Sequence, residues 1–165
     1  MGPSAAGSVY NPALTDFIFM VNESSYMFVT GPEVIKAVLN EDISKEELGG
    51  AKVHTSKSGV AHNRFENDIE AISSTRKLLS FLPQSCRGPR EVKPWTEEDR
   101  RRQASTKVLN NLVPSDPNKP YDVKIAIRNI VDRADFFEIM PEYARNIVVG
   151  FGEVEGRTVG ICANQ

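Results

Sequence analysis

The chain has 165 residues, enough for a domain that buries about 68–70% of its unfolded surface. Its formal net charge of −2 gives no sign of a nucleic-acid-binding surface, and no apolar run approaches the ~20 residues that a membrane-spanning helix needs. The two cysteines, Cys86 and Cys162, lie far apart and have no metal-ligand spacing, so we expect free thiols and no metal site.

The chain opens with a loop of small residues, Gly2 to Ala13, that runs into a helix start near Asn11-Pro12 or as early as Gly7. Small side chains let a ligand touch the backbone, and the first N–H groups of a helix have no partner within it. Such a turn can hold negative charge with amides alone. The alternative is a tight turn that only packs closely.

Two strands and two short helices are predicted next. The apolar run Phe17 to Val21 indicates a buried strand, and Tyr26 to Val29 indicates a second. A helix should run from Glu33 to Leu39 after Gly31-Pro32. A further helix should begin at a capping box of Ser44 and Glu47, and end at Gly49-Gly50.

A polar loop over Ala51 to Gly59 should precede the longest helix, Val60 to Leu82. Helical periodicity predicts an inward apolar face on that helix, formed by Phe65, Ile69, Ile72, Leu79 and Leu82. The segment Gly88 to Pro120 is rich in proline and charge. It is therefore a predicted linker and the best candidate for a domain boundary.

The last third combines one helix with strands. Asp122 can cap an amphipathic helix whose inward residues are expected to be Val123, Ile127, Ile130 and Val131. Strand structure should begin at Phe136, and a hairpin of Ile147 to Val154 and Arg157 to Ala163 should turn at Glu155-Gly156. Alternating strands and helices with hairpins predict an α/β fold.

Ordered sequence blocks along the chain carry a family resemblance. The blocks are GPSAAGSVYNPALTDF from Gly2 to Phe17, SYMFVTGP from Ser25 to Pro32, EELGGAK from Glu46 to Lys52, SGVAH from Ser58 to His62, FEND from Phe65 to Asp68, FFEIMP from Phe136 to Pro141, and Asn146 to Gln165. Together they resemble the carboxyltransferase (beta) subunits of biotin-dependent acyl-CoA carboxylases, nearest the propionyl-CoA carboxylase type.

The resemblance implies a crotonase-like spiral of ββα units. It assigns residues 1–94 to the later part of an N-terminal carboxyltransferase domain, and 95–165 to a linker and the start of a C-terminal one. The chain then looks like a central fragment. The second oxyanion-forming motif of the family would lie outside it, so we expect the piece alone to be inactive.

The implied activity moves CO2 from carboxybiotin to propionyl-CoA and gives methylmalonyl-CoA. Proton loss beside the thioester places negative charge on the thioester oxygen, which needs preorganised donors more than reactive side chains. The resemblance assigns that role to the backbone N–H groups of Ala6 and Gly7. Relatives usually have glycine at the position of Ala6, and alanine resists a positive φ.

The resemblance also suggests that Gly49, Gly50, Ala51 and Lys52 lie near the acyl-CoA. The alternative for the two glycines is a helix stop followed by a loop. The implied partners are a biotin carboxylase and carrier (alpha) subunit and further copies in a homo-oligomer of carboxyltransferase dimers, with no nucleic acid or membrane. The implied location is the mitochondrial matrix in a eukaryote and the cytoplasm in a bacterium.

Three other interpretations stay open. The chain could belong to an acetyl-CoA carboxylase or a related acyl-CoA carboxylase or decarboxylase, because acyl-chain choice depends partly on residues outside it. Ser8 could be a nucleophile served by His54, His62 and Asp68, although the G-x-S-x-G elbow is absent. The piece could also act only as a structural or interaction module.

Overall fold

A computed structural model of the chain describes residues 1–88, 92–103 and 107–165. The chain forms two compact units. The first contains residues 1–76 together with 140–144, and the second contains residues 77–139 and 145–165. The domain boundary predicted at 94/95 concerns the domains of the longer relatives, and it stays a prediction.

The described residues contain seven strands and eight α-helices. The strands are β1 Pro3–Ala5, β2 Phe19–Val21, β3 Tyr26–Phe28, β4 Asn63–Phe65, β5 Phe137–Ile139, β6 Ile147–Val154 and β7 Arg157–Asn164. The helices are α1 Tyr10–Ala13, α2 Pro32–Leu39, α3 Lys45–Gly49, α4 Ala51–Ser56, α5 Asp68–Phe81, α6 Glu97–Gln103, α7 Lys107–Asn110 and α8 Val123–Ile130. Short 3-10 turns cover Ala6–Val9 and Asp132–Ala134.

Two parallel strand pairs organise the first unit. Strand β1 pairs with β3, with Ala5 opposite Phe28, and β2 pairs with β4, with Met20 opposite Arg64. Met20 of β2 and Met27 of β3 belong to an apolar core with residues from the adjoining segments, which are Val9, Ile18, Ala51 and Ala61. The predicted strands at 17–21 and 26–29 are therefore present in shorter form. Neither of their partners was predicted: β4 pairs with the first and β1 with the second.

The capping box of helix α3 is confirmed. Glu47 N–H donates to Ser44 Oγ at 3.2 Å, and Ser44 N–H donates to Glu47 Oε2 at 3.1 Å. The predicted loop over 51–59 is wrong over its first six residues, which form α4. Gly50 has extended backbone angles and starts that helix directly, so two short helices meet at a corner with no loop between them.

The single long helix predicted over Val60 to Leu82 is wrong in its first part. Residues Asn63–Phe65 form β4, and α5 begins only at Asp68. Asn67 caps it, because Asn67 Oδ1 accepts the Glu70 N–H at 2.9 Å. Pairing with β2 stabilises an extended conformation in a segment whose local pattern also suits a helix.

The apolar face predicted for that helix is also wrong. Ile69 is 78% exposed and Leu79 is 57% exposed, and Ile72 is exposed as well. The α5 residues with buried side chains are Ala71, Leu78 and Phe81. The buried face of the helix is therefore a different one from the face predicted from the spacing of its large apolar side chains.

An antiparallel sheet in the order β5–β6–β7 organises the second unit. The predicted hairpin is confirmed: Val154 pairs with Arg157 across Glu155-Gly156, and both turn residues have positive φ. A buried cluster of Ile127, Val131 and Val148 joins α8 to the sheet.

The predicted cap of α8 is confirmed as well. Asp122 Oδ1 accepts the Lys124 N–H at 2.9 Å. Ile127 and Val131 are buried as expected, but Ile130 is 51% exposed. Its inward placement was wrong, because Ile130 lies outside the cluster of Ile127, Val131 and Val148 that packs α8 on the sheet.

Charged side chains connect the segment before α6 to the hairpin of the second unit. Glu153 is 3% exposed and forms ion pairs with Lys93 and Arg133. Lys93 N–H donates to the carbonyl of Gly156 at 2.8 Å, and Asp132 Oδ2 accepts the Gly156 N–H at 2.8 Å. The Lys93 bonds hold the segment before α6 to the hairpin, and Asp132 holds the hairpin turn itself.

Within the described residues, the predicted linker contains helices α6 and α7. A capping box that the sequence analysis missed begins α6: Thr96 Oγ1 accepts the Asp99 N–H at 3.2 Å. The parts of the linker at 89–91 and 104–106 lie outside the described residues. No helix in the described ranges is long and apolar enough to cross a bilayer.

Candidate functional site

The loop of small residues folds as a strand followed by a tight turn. Strand β1 ends at Ala5, Ala6 adopts a left-handed conformation with φ of 53°, and the 3-10 turn Ala6–Val9 leads into α1. Val9, the last residue of the turn, is buried in the core and anchors the turn there, while Ala6 and Gly7 are exposed. Asn11 lies inside α1, so the predicted cap at Asn11 was wrong and the earlier start near Gly7 is the observed one.

Ser8 binds the backbone of the residue before the turn. Its Oγ donates to the Ala5 carbonyl at 2.7 Å and accepts the Ala5 N–H at 3.2 Å. Ser4 Oγ lies 3.4 Å from Ser8 Oγ. The Ser8 hydroxyl therefore closes a small ring around Ala6, the residue with positive φ. Sequence analysis missed this role. The signal that points to it is an alanine, a residue that disfavours positive φ, two positions before a serine in a loop of small residues.

The two candidate N–H groups differ in their surroundings. Pro3 has no N–H, and the Ala5 N–H donates to Ser8, on the side of β1 away from β3. Because successive N–H groups of a strand point to opposite sides, the N–H groups of Ser4 and Ala6 point toward β3. Gly7 follows the end of the ladder, at the second position of the 3-10 turn, where an N–H has no acceptor within the helix. Beyond Gly7, its chain neighbours and the backbone of its own turn, no atom of the described residues lies within 4 Å of the position that a Cβ on Gly7 would take.

The second predicted cluster, from Gly49 to Lys52, lies where α3 meets α4. A Cβ on Gly49 would collide with the carbonyl oxygen of Met27, and Gly50 bridges to Tyr26. Ala51 is fully buried, whereas Lys52 is exposed. The glycines thus allow close packing against β3, and Lys52 is the member of the cluster that presents its side chain to solvent.

The two histidines hold backbone in place. His54 Nε2 donates to the Met27 carbonyl at 2.7 Å, and Nδ1 lies within hydrogen-bond distance of Ser58 Oγ, at 2.9 Å. Ile18 N–H donates to His62 Nδ1 at 3.1 Å. Burial lowers the pKa of His62, and the bond from Ile18 also requires an unprotonated Nδ1.

The serine-nucleophile interpretation finds no support in this geometry. Among the described residues, Ser8 Oγ hydrogen-bonds to Ala5 and lies 3.4 Å from Ser4 Oγ. Both ring nitrogens of His54 and Nδ1 of His62 have partners other than Ser8. No group of three or more His, Cys, Asp or Glu side chains is placed to hold a metal ion in the described part of the chain. Cys86 and Cys162 are free, exposed thiols.

Known proteins resemble the chain along its whole length. A family model described as "Carboxyl transferase domain" matches residues 1–165. The propionyl-CoA carboxylase beta chain of Roseobacter denitrificans is 54% identical over 165 residues, and the mitochondrial chain of Homo sapiens is 50% identical. These matches cover 100% of this chain but only 32% and 30% of those relatives, so it spans about a third of their length.

Solved structures agree on the fold. Transcarboxylase 12S, solved with methylmalonyl-coenzyme A and methylmalonic acid bound, superposes with a TM-score of 0.82 at 45% identity, over 99% of this chain and 31% of that one. A single-chain, multi-domain long-chain acyl-CoA carboxylase shares the fold with a TM-score of 0.75. The predicted crotonase-like carboxyltransferase fold is confirmed, and the chain belongs to the carboxyl transferase domain family.

Proposed function

We propose that this chain forms part of a carboxyltransferase that moves a carboxyl group from carboxybiotin to propionyl-CoA, giving methylmalonyl-CoA. The observation that supports this most is an exposed turn of small residues whose Gly7 N–H has no acceptor within its helix, in a member of the carboxyl transferase family. The matching relatives are named as propionyl-CoA carboxylase beta chains.

In this proposal the chain contributes backbone donors. When the carbon beside the thioester loses its proton, negative charge develops on the thioester oxygen, and preorganised N–H groups stabilise it. Gly7 is the stronger candidate, because the alternation of β1 turns the Ala6 N–H toward β3. Carboxybiotin, carried by a partner subunit, would supply the carboxyl group.

The proposal extends to the rest of the family architecture. Residues 1–94 would belong to the N-terminal domain and 95–165 to the linker and the C-terminal domain. Lys52 would contact a phosphate of the CoA, because its side chain is exposed while Gly49, Gly50 and Ala51 pack inward. The working assembly would contain further copies and a biotin-carrying alpha subunit, in the mitochondrial matrix of a eukaryote or the cytoplasm of a bacterium.

The test uses a chimeric subunit, defined as the Roseobacter denitrificans beta chain with its matching 165 residues replaced by this chain. Gly7→Pro deletes the donor, and Gly7→Ala keeps it while adding a methyl group to open space. We expect the proline variant to lose at least about a hundredfold in kcat relative to the alanine variant, measured as carboxyl transfer from methylmalonyl-CoA to biotin. Equal rates would contradict the amide assignment.

The same chimera separates the acyl-chain alternatives. Rates with propionyl-CoA and acetyl-CoA as acceptors show which substrate the pocket prefers, and we expect propionyl-CoA to be the better one. A chimera that transfers no carboxyl group to any acyl-CoA would contradict the proposed function as a whole.

A structural or interaction role is the second candidate, and one observation favours it. Helix α2 has no buried residue, and its side chains Val34, Val38 and Leu39 are 53%, 74% and 62% exposed. Sedimentation of the isolated chain, together with its carboxyl-transfer rate, separates the two roles. If the isolated chain forms an oligomer without activity while the chimera is active, the isolated chain associates but does not catalyse.

A further inference from the structure

We infer that Ser8 is a positioning residue, whose hydroxyl holds Ala6 in the left-handed conformation and thereby orients the Gly7 N–H. This inference rests on the proposed function, because the Gly7 donor matters only if it meets the substrate. It assigns Ser8 no contact with the reacting atoms. It also explains how an alanine at position 6 keeps a positive φ.

The first step concerns the conformation of Ala6. Its φ of 53° lies in the region that an alanine avoids because Cβ approaches the following carbonyl oxygen. Ala6 is exposed, so no packing around its side chain holds it there. The angle must instead be maintained by the bonds on either side of the residue.

The second step concerns those bonds. Ser8 Oγ accepts the Ala5 N–H at 3.2 Å and donates to the Ala5 carbonyl at 2.7 Å, so one hydroxyl satisfies both backbone groups of the residue directly before Ala6. A chain that relaxed at Ala6 would move Ala5 away from Ser8 and lose both bonds. Together, the two hydrogen bonds outweigh the preference of one alanine for negative φ. They therefore keep the turn closed, with Ser8 bonded to Ala5 and Ala6 left-handed.

The third step links the ring to the donor. The carbonyl of Ala6 and the N–H of Gly7 belong to one planar peptide, so a rotation at Ala6 reorients that N–H. Val9 anchors the far end of the turn in the core. The Ser8 hydroxyl therefore determines where the Gly7 N–H points without being a reactive group itself.

The test is a two-residue cycle in the chimeric subunit, comparing the parent, Ser8→Ala, Ala6→Gly and the double variant. Ser8→Ala should lower kcat about three- to tenfold, with KM for the acyl-CoA unchanged within twofold, because fewer molecules have the turn closed. Ala6→Gly, which accepts positive φ without strain, should restore the rate of Ser8→Ala to within about twofold of the parent. Ser8→Thr retains the hydroxyl and serves as the conservative control, expected to keep the parent rate.

Crystal structures of the same four proteins supply a readout that does not depend on activity. We expect residue 6 to leave positive φ in the Ser8→Ala variant and to return to it in the double variant. A residue 6 that stays left-handed without Ser8, or a rate loss that Ala6→Gly fails to restore, would overturn the inference. If the parent chimera transfers no carboxyl group, the proposed function fails, while the φ values still decide whether Ser8 positions the turn.

Discussion

At the residue scale, the proposed site depends on the placement of backbone groups rather than on reactive side chains. The candidate site contains an alanine, a glycine and a serine whose hydroxyl is engaged with backbone, and both histidines hold neighbouring segments together. Such a site needs no titrating group to act on a developing oxyanion. We therefore expect the activity of the site to be sensitive to changes in backbone angles and to the loss of backbone N–H donors.

His62 makes stability depend on pH. Its folded-state pKa is lowered, mainly by burial, from an ordinary value of about 6.5, so the unfolded chain binds the proton more readily. The stabilisation is complete above that value and is lost as pH falls below it. We expect the free energy of unfolding from urea titrations to drop between pH 7.5 and 5.5.

The matched variant for this prediction is His62→Asn, whose Oδ1 can take the place of Nδ1 and accept the Ile18 N–H. It should lose less stability over the same pH interval, because asparagine does not titrate. An equal loss in parent and variant would show that other groups cause the pH dependence.

At the element scale, Glu153, the buried carboxylate of β6, binds Lys93 in the segment before α6. Lys93 pairs with Glu153, donates to the Ser80 carbonyl at 3.0 Å and lies 5.6 Å from the centre of the Phe81 ring. Lys93→Met would leave Glu153 with Arg133 as its remaining ion-pair partner among the described residues. We expect a loss of about 1–3 kcal/mol in the free energy of unfolding.

The control for Lys93 is a cation in an exposed pair. Lys36 binds Asp42 at 2.7 Å, but their side chains are 62% and 80% exposed. Lys36→Met should change the free energy of unfolding by less than about 1 kcal/mol in the same urea titration. Similar losses from both lysines would contradict the special role of the buried carboxylate.

Elements that are determined by neighbouring residues could be predicted from the sequence. Elements that depend on contacts with residues far away in the sequence could not. The capping box at Ser44, the cap at Asp122 and the turn at Glu155-Gly156 each follow from a few neighbouring residues. Strand β4 depends on its pairing with β2, more than forty residues away, which no local periodicity reports.

The same division applies to helix faces and to the candidate site. Ile69, Ile72 and Leu79 have helical spacing, yet burial depends on which neighbour packs against α5, and smaller Ala71 faces inward instead. The loop of small residues was predicted as the candidate site from sequence. The left-handed Ala6 and its Ser8 ring were not, because they depend on atomic geometry within a four-residue turn.

At the scale of the whole molecule, two compact units each have their own core, and the chain spans about a third of its relatives. The oxyanion site proposed in the first unit needs the remainder of a carboxyltransferase around it. We expect the isolated chain to show no carboxyl transfer under conditions in which the chimeric subunit is active.

The central claim is that one backbone N–H stabilises the negative charge formed during carboxyl transfer. Replacing Gly7 of the chimeric subunit by glycolic acid changes that N–H to an ester oxygen and leaves every side chain in place. The measurement is kcat for carboxyl transfer from methylmalonyl-CoA to biotin. The account predicts a fall of about 10²–10³-fold. An ester-containing subunit that transfers carboxyl groups at the parent rate would contradict it.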